Sequence, residues 1–325
     1  MPPTFVLGID VAKTTFQVCL LKAGRASAAA FTNDPAGFQQ LTTWLKRRKA
    51  CTVWACLEAT GRYGDALAEY LYDQGHTVSV VNPLAIKAYA QSQLSRNKTD
   101  AVDARLIADY CATQQPAAWS PPTPEIRELR ELARQYQSLQ TSRQQAHNRL
   151  TSGFQSATVL AQLQAQVDLL DQQLAEVQHY MRQHIDRHPD LKRQRELLDS
   201  IPGIAELTAT KLVAEDLGRF DSARSLAAYA GLTPYNQTSG SSVRRRPKLS
   251  KLGKISLRRA LYFPAIAAKR KSVFQALYQR LLAQGKSKMA ALGAVMHKLL
   301  RVAYGVLKSG RPFDPDHAAQ FHFAS

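Results

Sequence analysis

The run Pro121-Pro122-Thr123-Pro124 divides the chain into two stretches whose apolar residues recur with different periods, and this division constrains the fold more than any other feature. Before it, short apolar runs alternate with helical patterns. Phe5-Val6-Leu7-Gly8-Ile9-Asp10 and Thr15-Phe16-Gln17-Val18-Cys19-Leu20 read as a β-hairpin, Pro35 to Arg48 as a helix and Thr52 to Leu57 as a buried strand. Tyr63 to Gln74 reads as a second helix, and Thr77 to Val81 as a strand ending at Asn82-Pro83. Strands interleaved with helices predict a mixed α/β sheet.

After the prolines the pattern is helical alone. Leu129, Leu132, Tyr136, Leu139, Arg143, Ala146 and Leu150 follow 3-4 spacing, broken near Thr151-Ser152-Gly153. The spacing resumes with Leu160, Leu163, Val167, Leu170, Leu174, Val177 and Met181. Two helices joined by a turn form a coiled-coil hairpin, with Arg143 interrupting the seam of the first arm. A long protruding hairpin exposes apolar seam that a second subunit would cover. The chain therefore divides into an α/β domain over 1–120, the hairpin over 125–190 and a mainly helical domain over 191–325. In the last, Leu197-Leu198-Asp199-Ser200-Ile201-Pro202-Gly203-Ile204-Ala205 sets a Pro-Gly turn between two helical runs, as a helix-hairpin-helix does. Such a turn, with Gly203 at its apex, would aim free backbone N–H groups at a phosphate.

Charge is distributed as unevenly as periodicity. The net charge is +18, and the segment from Ser241 to Gly310 holds 17 Lys or Arg without one Asp or Glu. That segment is built to meet a polyanion, with nucleic acid ahead of a membrane surface. Arg244, Arg245, Arg246, Lys248, Lys251, Arg258 and Arg259 are its candidate phosphate contacts. The four cysteines have neither Cys-x-x-Cys spacing nor His partners, which suggests neither a zinc site nor a disulfide framework and predicts buried thiols in a reducing cytosol. No basic-then-apolar leader opens the chain and no apolar run approaches membrane-spanning length, so a cytoplasmic, DNA-associated protein is expected.

The nearly balanced N-terminal half can hold clustered acids. Asp10 and Glu58 end two apolar strands, while Asp100 and Asp103 stand three apart on a predicted helix and share one of its faces. Strand-end carboxylates on neighbouring strands lie close together, and the four could hold two Mg²⁺ ions against a scissile phosphate. Arg96-Asn97-Lys98, just before Asp100, would suit a phosphate nearby.

These blocks, in this order, resemble a known family. Gly8-Ile9-Asp10-Val11-Ala12-Lys13, Glu58-Ala59-Thr60-Gly61, Asn97-Lys98-Thr99-Asp100-Ala101-Val102-Asp103-Ala104 and Ile201-Pro202-Gly203-Ile204 are four of them. Gly231-Leu232-Thr233-Pro234, Ser239-Gly240-Ser241-Ser242 and Ser256-Leu257-Arg258-Arg259-Ala260-Leu261-Tyr262 complete the set. Together they are similar to the DEDD transposases of the IS110 insertion sequences, whose better-understood members are bridge-RNA-guided recombinases. The resemblance covers nearly the whole chain. It implies a ribonuclease-H-like (RuvC-like) fold for the N-terminal domain, with Asp10, Glu58, Asp100 and Asp103 as the metal-binding tetrad. It implies Ser239 as catalytic serine, with Ser241 and Ser242 its near neighbours in register. The partners it implies are donor and target DNA, a guide RNA, and further copies of the chain as dimers pairing into a tetramer. Attack by a serine would keep the bond energy of the phosphodiester in a phosphoserine ester for rejoining. Two rival readings are a RuvC-like structure-selective endonuclease that uses water and a non-catalytic nucleic-acid-binding protein.

The charge distribution makes a prediction that holds for all three. Affinity for DNA should fall steeply with salt, by about 10³- to 10⁵-fold between roughly 50 and 200 mM for some 6–10 phosphate contacts. A titration series by fluorescence anisotropy checks this, and a flat response would remove the phosphate-gripping role of the acid-free segment.

Overall fold

The computed structural model describes residues 5–59, 61–93, 100–235, 238–239, 243–244, 248–250, 252–270 and 272–315. For 100, 101, 238, 239, 243, 244, 248 and 272 it describes the backbone alone. The chain divides into two compact units, Met1–Pro121 and Pro122–Ser325, with the boundary inside the proline run.

The first unit is built on a five-stranded sheet. β1 (Phe5–Val11), β2 (Thr15–Lys22), β3 (Arg25–Thr32), β4 (Trp54–Glu58) and β5 (Thr77–Val81) lie in the order β3-β2-β1-β4-β5. The first three form an antiparallel meander, whereas β4 runs parallel to both β1 and β5. The expected mixed α/β sheet is therefore present. Alternation along the strands sends side chains to opposite faces. Leu7, Ile9, Ala55 and Leu57 face the apolar stripes of α1 (Pro35–Arg47) and α2 (Asp65–Asp73), where Phe38, Leu41, Leu45, Leu67 and Leu71 complete a core. Val6 and Cys56 pack on the other side with Ile86 of α3 (Pro83–Ser92) and with Ala104, Ile107, Ala108 and Cys111 of α4 (Asp100–Gln114).

Three features of this unit differ from the sequence reading. β3 went unread because its Arg-Ala-Ser-Ala-Ala-Ala run has weak strand propensity. It forms because Ala23 and Gly24, both at positive φ (45° and 80°), make a tight turn that folds β3 back on β2. Helix α3 starts at Asn82-Pro83, where the Asn82 side chain accepts a hydrogen bond from the Leu84 N–H at 2.9 Å, so the residues that end β5 also cap a helix. Finally, Cys51 is exposed rather than buried, because β4 begins at Trp54 and not at Thr52. The residues between belong to a turn that Lys49 enters at φ 59°. Cys19, Cys56 and Cys111 are buried as expected. The Cys56 thiol is pushed up by its hydrogen bond with Cys111 and then by burial, which leaves it inert.

The second unit is helical apart from short strand pairs. α5 (Pro124–Leu150) starts where the Thr123 hydroxyl accepts from the Ile126 N–H, and α6 (Ala157–Arg187) where Ser156 caps Val159. The two pair antiparallel through Leu139, Ala146, Val167 and Leu170, joined by Leu150, Leu174 and Val177, so the seam is closed within the chain. Arg143, which interrupts the seam, forks onto Asp171 of the opposite arm at 2.9 and 3.2 Å. At its base the hairpin merges with the main core, since Ile126, Leu129, Tyr136, Met181 and Ile185 share one cluster with the helices that follow.

Those helices are α7 (Pro189–Asp199), α8 (Glu206–Ala214), α9 (Ala223–Tyr229), α10 (Ile255–Ala260), α11 (Tyr262–Ala268), α12 (Ser272–Ala283) and α13 (Lys288–Ser309). Among the described residues α13 alone is long and apolar enough to cross a membrane. Its Ala291, Leu292, Val295, Leu299, Leu300 and Ala303 are instead the centre of the core. α10 and α11 would be one helix but for Pro264, which has no N–H to give the Ala260 carbonyl and breaks the path at Leu261.

In the first unit α4 lies so close to β1 that only glycine fits at position 8. A Cβ there would collide with the Ala104 carbonyl oxygen and the Ala108 amide and sit 2.7 Å from the Ala108 methyl. Gly8→Ala is therefore expected to cost about 1–3 kcal/mol. Trp44, Trp54 and Trp119 are the only tryptophans and all lie in this unit. Thermal unfolding followed by tryptophan emission isolates its transition, and an unchanged midpoint would mean that α4 does not rest on β1.

Candidate active site and nucleic-acid interface

Parallel pairing of β1 with β4 matches Ile9 to Leu57, so Asp10 and Glu58 follow side by side on neighbouring strands. By alternation both point to the face that carries Gly8 and Cys56, the face covered by α4. Asp103 precedes Ala104, the residue whose carbonyl lies against Gly8, so the first turns of α4 come down beside the strand that bears Asp10. Asp10, Glu58 and Asp103 are each half-buried. Asp100 opens α4, and its side chain lies outside the described residues, as do Arg96, Asn97 and Lys98. Among the described residues no group of three or more His, Cys, Asp or Glu stands close enough to hold a metal ion. The donor set is nonetheless all carboxylate, which fits Mg²⁺ and not a soft metal.

One residue that the sequence reading did not single out ties this end of the sheet together. The Asn33 side-chain amide donates to the Ala12 carbonyl at 3.0 Å and to the Tyr63 carbonyl at 3.0 Å. It thereby links the loop after β1 to the one after β4, each just beyond a candidate acid. A lone Asn ahead of a helix reads as a turn residue, so no sequence signal separates it from many others.

The second unit presents the candidate serine and cations. β6 (Pro234–Tyr235) pairs antiparallel with β9 (Lys248–Leu249), and β7 (Thr238–Ser239) with β8 (Val243–Arg244). Ser239 lies opposite Val243 and Thr238 opposite Arg244, so the two pairs make successive rungs of one hairpin with Ser239 in its outer rung. Ser241, Ser242, Arg245, Arg246 and Lys251 lie outside the described residues, and for Ser239, Arg244 and Lys248 only the backbone is placed. In the β6–β9 pair, Leu249 packs on Gly293 of α13, at a point where a Cβ would lie 2.8 Å from the leucine Cδ1.

The remaining candidates fall into two kinds. Arg258 is half-buried and donates from Nη1 to the Ala230 carbonyl at 2.9 Å, so it braces α10 against the end of α9. Arg259, the next residue, is exposed. Gly203 takes φ 94° in the turn between α7 and α8, and a Cβ on it would sit 2.6 Å from the Pro264 carbonyl and 2.9 Å from Ala268. The glycine is thus required both by its own backbone and by the close approach of α11.

Glu215 lies upstream of the acid-free segment, where no spacing in the sequence marks it. It forms a salt bridge with Lys254 and accepts from the Ser256 hydroxyl, which fixes the start of α10. Positive charge is dense farther along. On α13, burial followed by Arg301 and Lys298 holds His297 below the usual imidazole range.

Two family models match successive stretches of the chain, the first running from the first unit into the α5–α6 hairpin of the second. A family model of the DEDD IS110 type, described as Transposase, matches residues 7–159, and one described as Transposase IS116/IS110/IS902 family matches 195–279. The chain is 35% identical to a pilin gene-inverting protein of Moraxella bovis, over 97% of this chain and 98% of that one. The pilin gene-inverting protein of Moraxella lacunata is 35% identical over the same shares. A transposase for insertion sequence element IS1111A, from Coxiella burnetii, is 22% identical over 93% of this chain and 89% of its own. A likeness that runs end to end at that identity, with both family models in order, places this chain among the IS110-family transposases.

Proposed function

We propose that this transposase both cuts and rejoins DNA, with the carboxylates of its first unit and Ser239 of its second as the reacting groups. The observation that carries the reading is the end-to-end likeness to proteins named for gene inversion. Inversion requires every broken strand to be joined again, which a hydrolase does not achieve. A serine nucleophile supplies the means. As the Ser239 Oγ attacks phosphorus it loses its proton, the bond from phosphorus to one strand oxygen breaks, and that oxygen leaves as a hydroxyl. Attack by the hydroxyl of another strand then reverses the exchange and frees the serine.

In the first unit, the strand order β3-β2-β1-β4-β5 with helices on both faces supports a ribonuclease-H-like (RuvC-like) fold. The neighbouring Asp10 and Glu58, with Asp103 on the covering helix, support a divalent-metal role for the tetrad they form with Asp100. Two bound Mg²⁺ ions would supply polarisation of the phosphate and stabilisation of the leaving oxygen. The role of the chain is to hold these acids on a rigid sheet and helix. The Pro202-Gly203 turn between α7 and α8 supports a helix-hairpin-helix contact to backbone phosphates, with Arg244, Arg245, Arg246, Lys248, Lys251 and Arg259 adding charge. A guide RNA, an assembly of dimers paired into a tetramer and a cytoplasmic location complete the proposal. They rest on family membership and on a net charge of +18 that grips RNA and DNA phosphates alike.

The deciding experiment incubates purified protein with RNA flanking its own element, donor and target DNA and Mg²⁺, then looks for a covalent protein–DNA adduct. Ser239→Ala should eliminate the adduct, whereas Ser241→Ala and Ser242→Ala should reduce it less. Cleavage without any adduct in the wild type would establish the water-using nuclease instead. Asp10→Asn or Asp103→Asn should lower cleavage by at least about 10²-fold while leaving DNA affinity within about threefold, since carboxylates serve the chemistry and cations the grip. Normal cleavage by either variant in a gel assay would remove the tetrad.

A further inference from the structure

The most exposed large apolar side chain among the described residues is Phe263, 75% accessible, in the middle of the basic segment. Three positions on the path of α10 and α11 stand at helical intervals of four. Ile255 (55% accessible), Arg259 and Phe263 therefore line one outward strip, while Leu257, Leu261 and Ala265 face the core. The ring is restrained without being covered. Tyr262, packed against the core, meets it at a centroid distance of 5.4 Å and an interplanar angle of 80°. Arg259 lies one turn before it and Arg270 two turns after, both exposed and with no carboxylate partner among the described residues. The only acid near this strip in the described contacts, Glu215, is already held by Lys254 and Ser256.

An exposed aromatic ring costs free energy in water, and one set among cations that nothing neutralises is matched to a ligand with flat apolar faces and negative charge. We propose that Phe263 stacks on an unpaired base of a DNA strand, with Arg259 and Arg270 on the phosphates either side. A base offers its face only when it has left the duplex, as at a strand being cut and exchanged, so the inference rests on the recombinase reading. The strand is DNA because DNA is what a transposase cuts and joins, and neither stacking on a base face nor pairing with a phosphate requires a ribose 2′-hydroxyl. The strip also adjoins the Gly203 turn, whose backbone touches Pro264, the residue after the ring.

The test measures binding of a fluorescein-labelled 12-nucleotide single-stranded DNA to the full chain by anisotropy. It contains no divalent ion, so it is independent of whether the acids or Ser239 carry out cleavage. Phe263→Ala should weaken binding roughly 5- to 150-fold, the range for loss of one base stack, with the salt dependence unchanged. Phe263→Trp should bind at least as tightly as the wild type. Arg259→Ala should instead lower the salt slope by about one. Light scattering on each variant reports the assembly, and the same oligonucleotide as RNA and as duplex DNA completes the set. Affinity for single-stranded DNA unaffected by Phe263→Ala overturns the proposal. So does a loss of affinity confined to RNA, or one accompanied by a fall in assembly mass, which would assign the ring to a contact between copies of the chain.

Discussion

The contact between the backbone of β1 at Gly8 and the first turns of α4 governs the candidate active site. Two carboxylates on adjacent parallel strands are a common product of any sheet and by themselves specify nothing. They become part of a site when a third arrives from another element at a fixed distance, and here the helix that brings Asp103 has its backbone directly on the strand that brings Asp10. Any side chain at position 8 would lift α4 and carry Asp103 away with it. The glycine in Gly8-Ile9-Asp10 thus fixes the geometry of the candidate site as directly as the placement of the acid that follows it two residues later. Asn33 completes the arrangement from the other side by joining the loops beyond β1 and β4.

How much of this was legible follows from what each residue type does locally. The places of Asp10 and Glu58 at strand ends and of Asp103 on a helix were readable because strands announce their ends and helices their periods. That Asp10 and Glu58 share one face was not, because it depends on register, and register is set by pairings between residues far apart in sequence. The hairpin of α5 and α6 was readable down to its turn, since its apolar period is local. What covers its seam was not: sequence left it open to another subunit, whereas Leu139, Ala146, Val167 and Leu170 close it from within. β3 shows the opposite failure, an alanine-rich segment without strand character that becomes a strand because the Ala23-Gly24 turn presents it to β2. Phe263 was hidden for a third reason, in that an aromatic residue in a helical run is most often core and only the break at Leu261 and the packing of Pro264 show which way it faces.

The second unit solves a different mechanical problem, that of presenting a short hairpin and a row of cations from a wholly helical core. The β6–β9 pair is seated on the core where the absence of a side chain at Gly293 gives Leu249 a socket on α13. Arg258 and Lys254 are consumed in bracing α10, one on a carbonyl and one on Glu215. Cations in this segment are consequently not equivalent, although composition presents them so. Neighbours in sequence, Arg258 and Arg259, have opposite duties because successive helical residues point about a quarter-turn apart, and only the outward one is available to a phosphate.

The same pair explains why acids are absent from so long a stretch. One carboxylate, Glu215, suffices to occupy Lys254 and Ser256 together, and every further carboxylate within reach of the basic surface would withdraw another cation from the phosphates it would otherwise meet. Unlike the largely buried Glu215–Lys254 pair, ion pairs at exposed positions add little stability, on the order of 0–1 kcal/mol each, so a fold loses little by omitting them. What it gains is a surface whose charge is neutralised only by a ligand. Asp10, Glu58, Asp100 and Asp103 all precede the Pro121-Pro122-Thr123-Pro124 run and the acid-free segment follows it, so the candidate acids and that dense run of cations belong to different compact units of one chain.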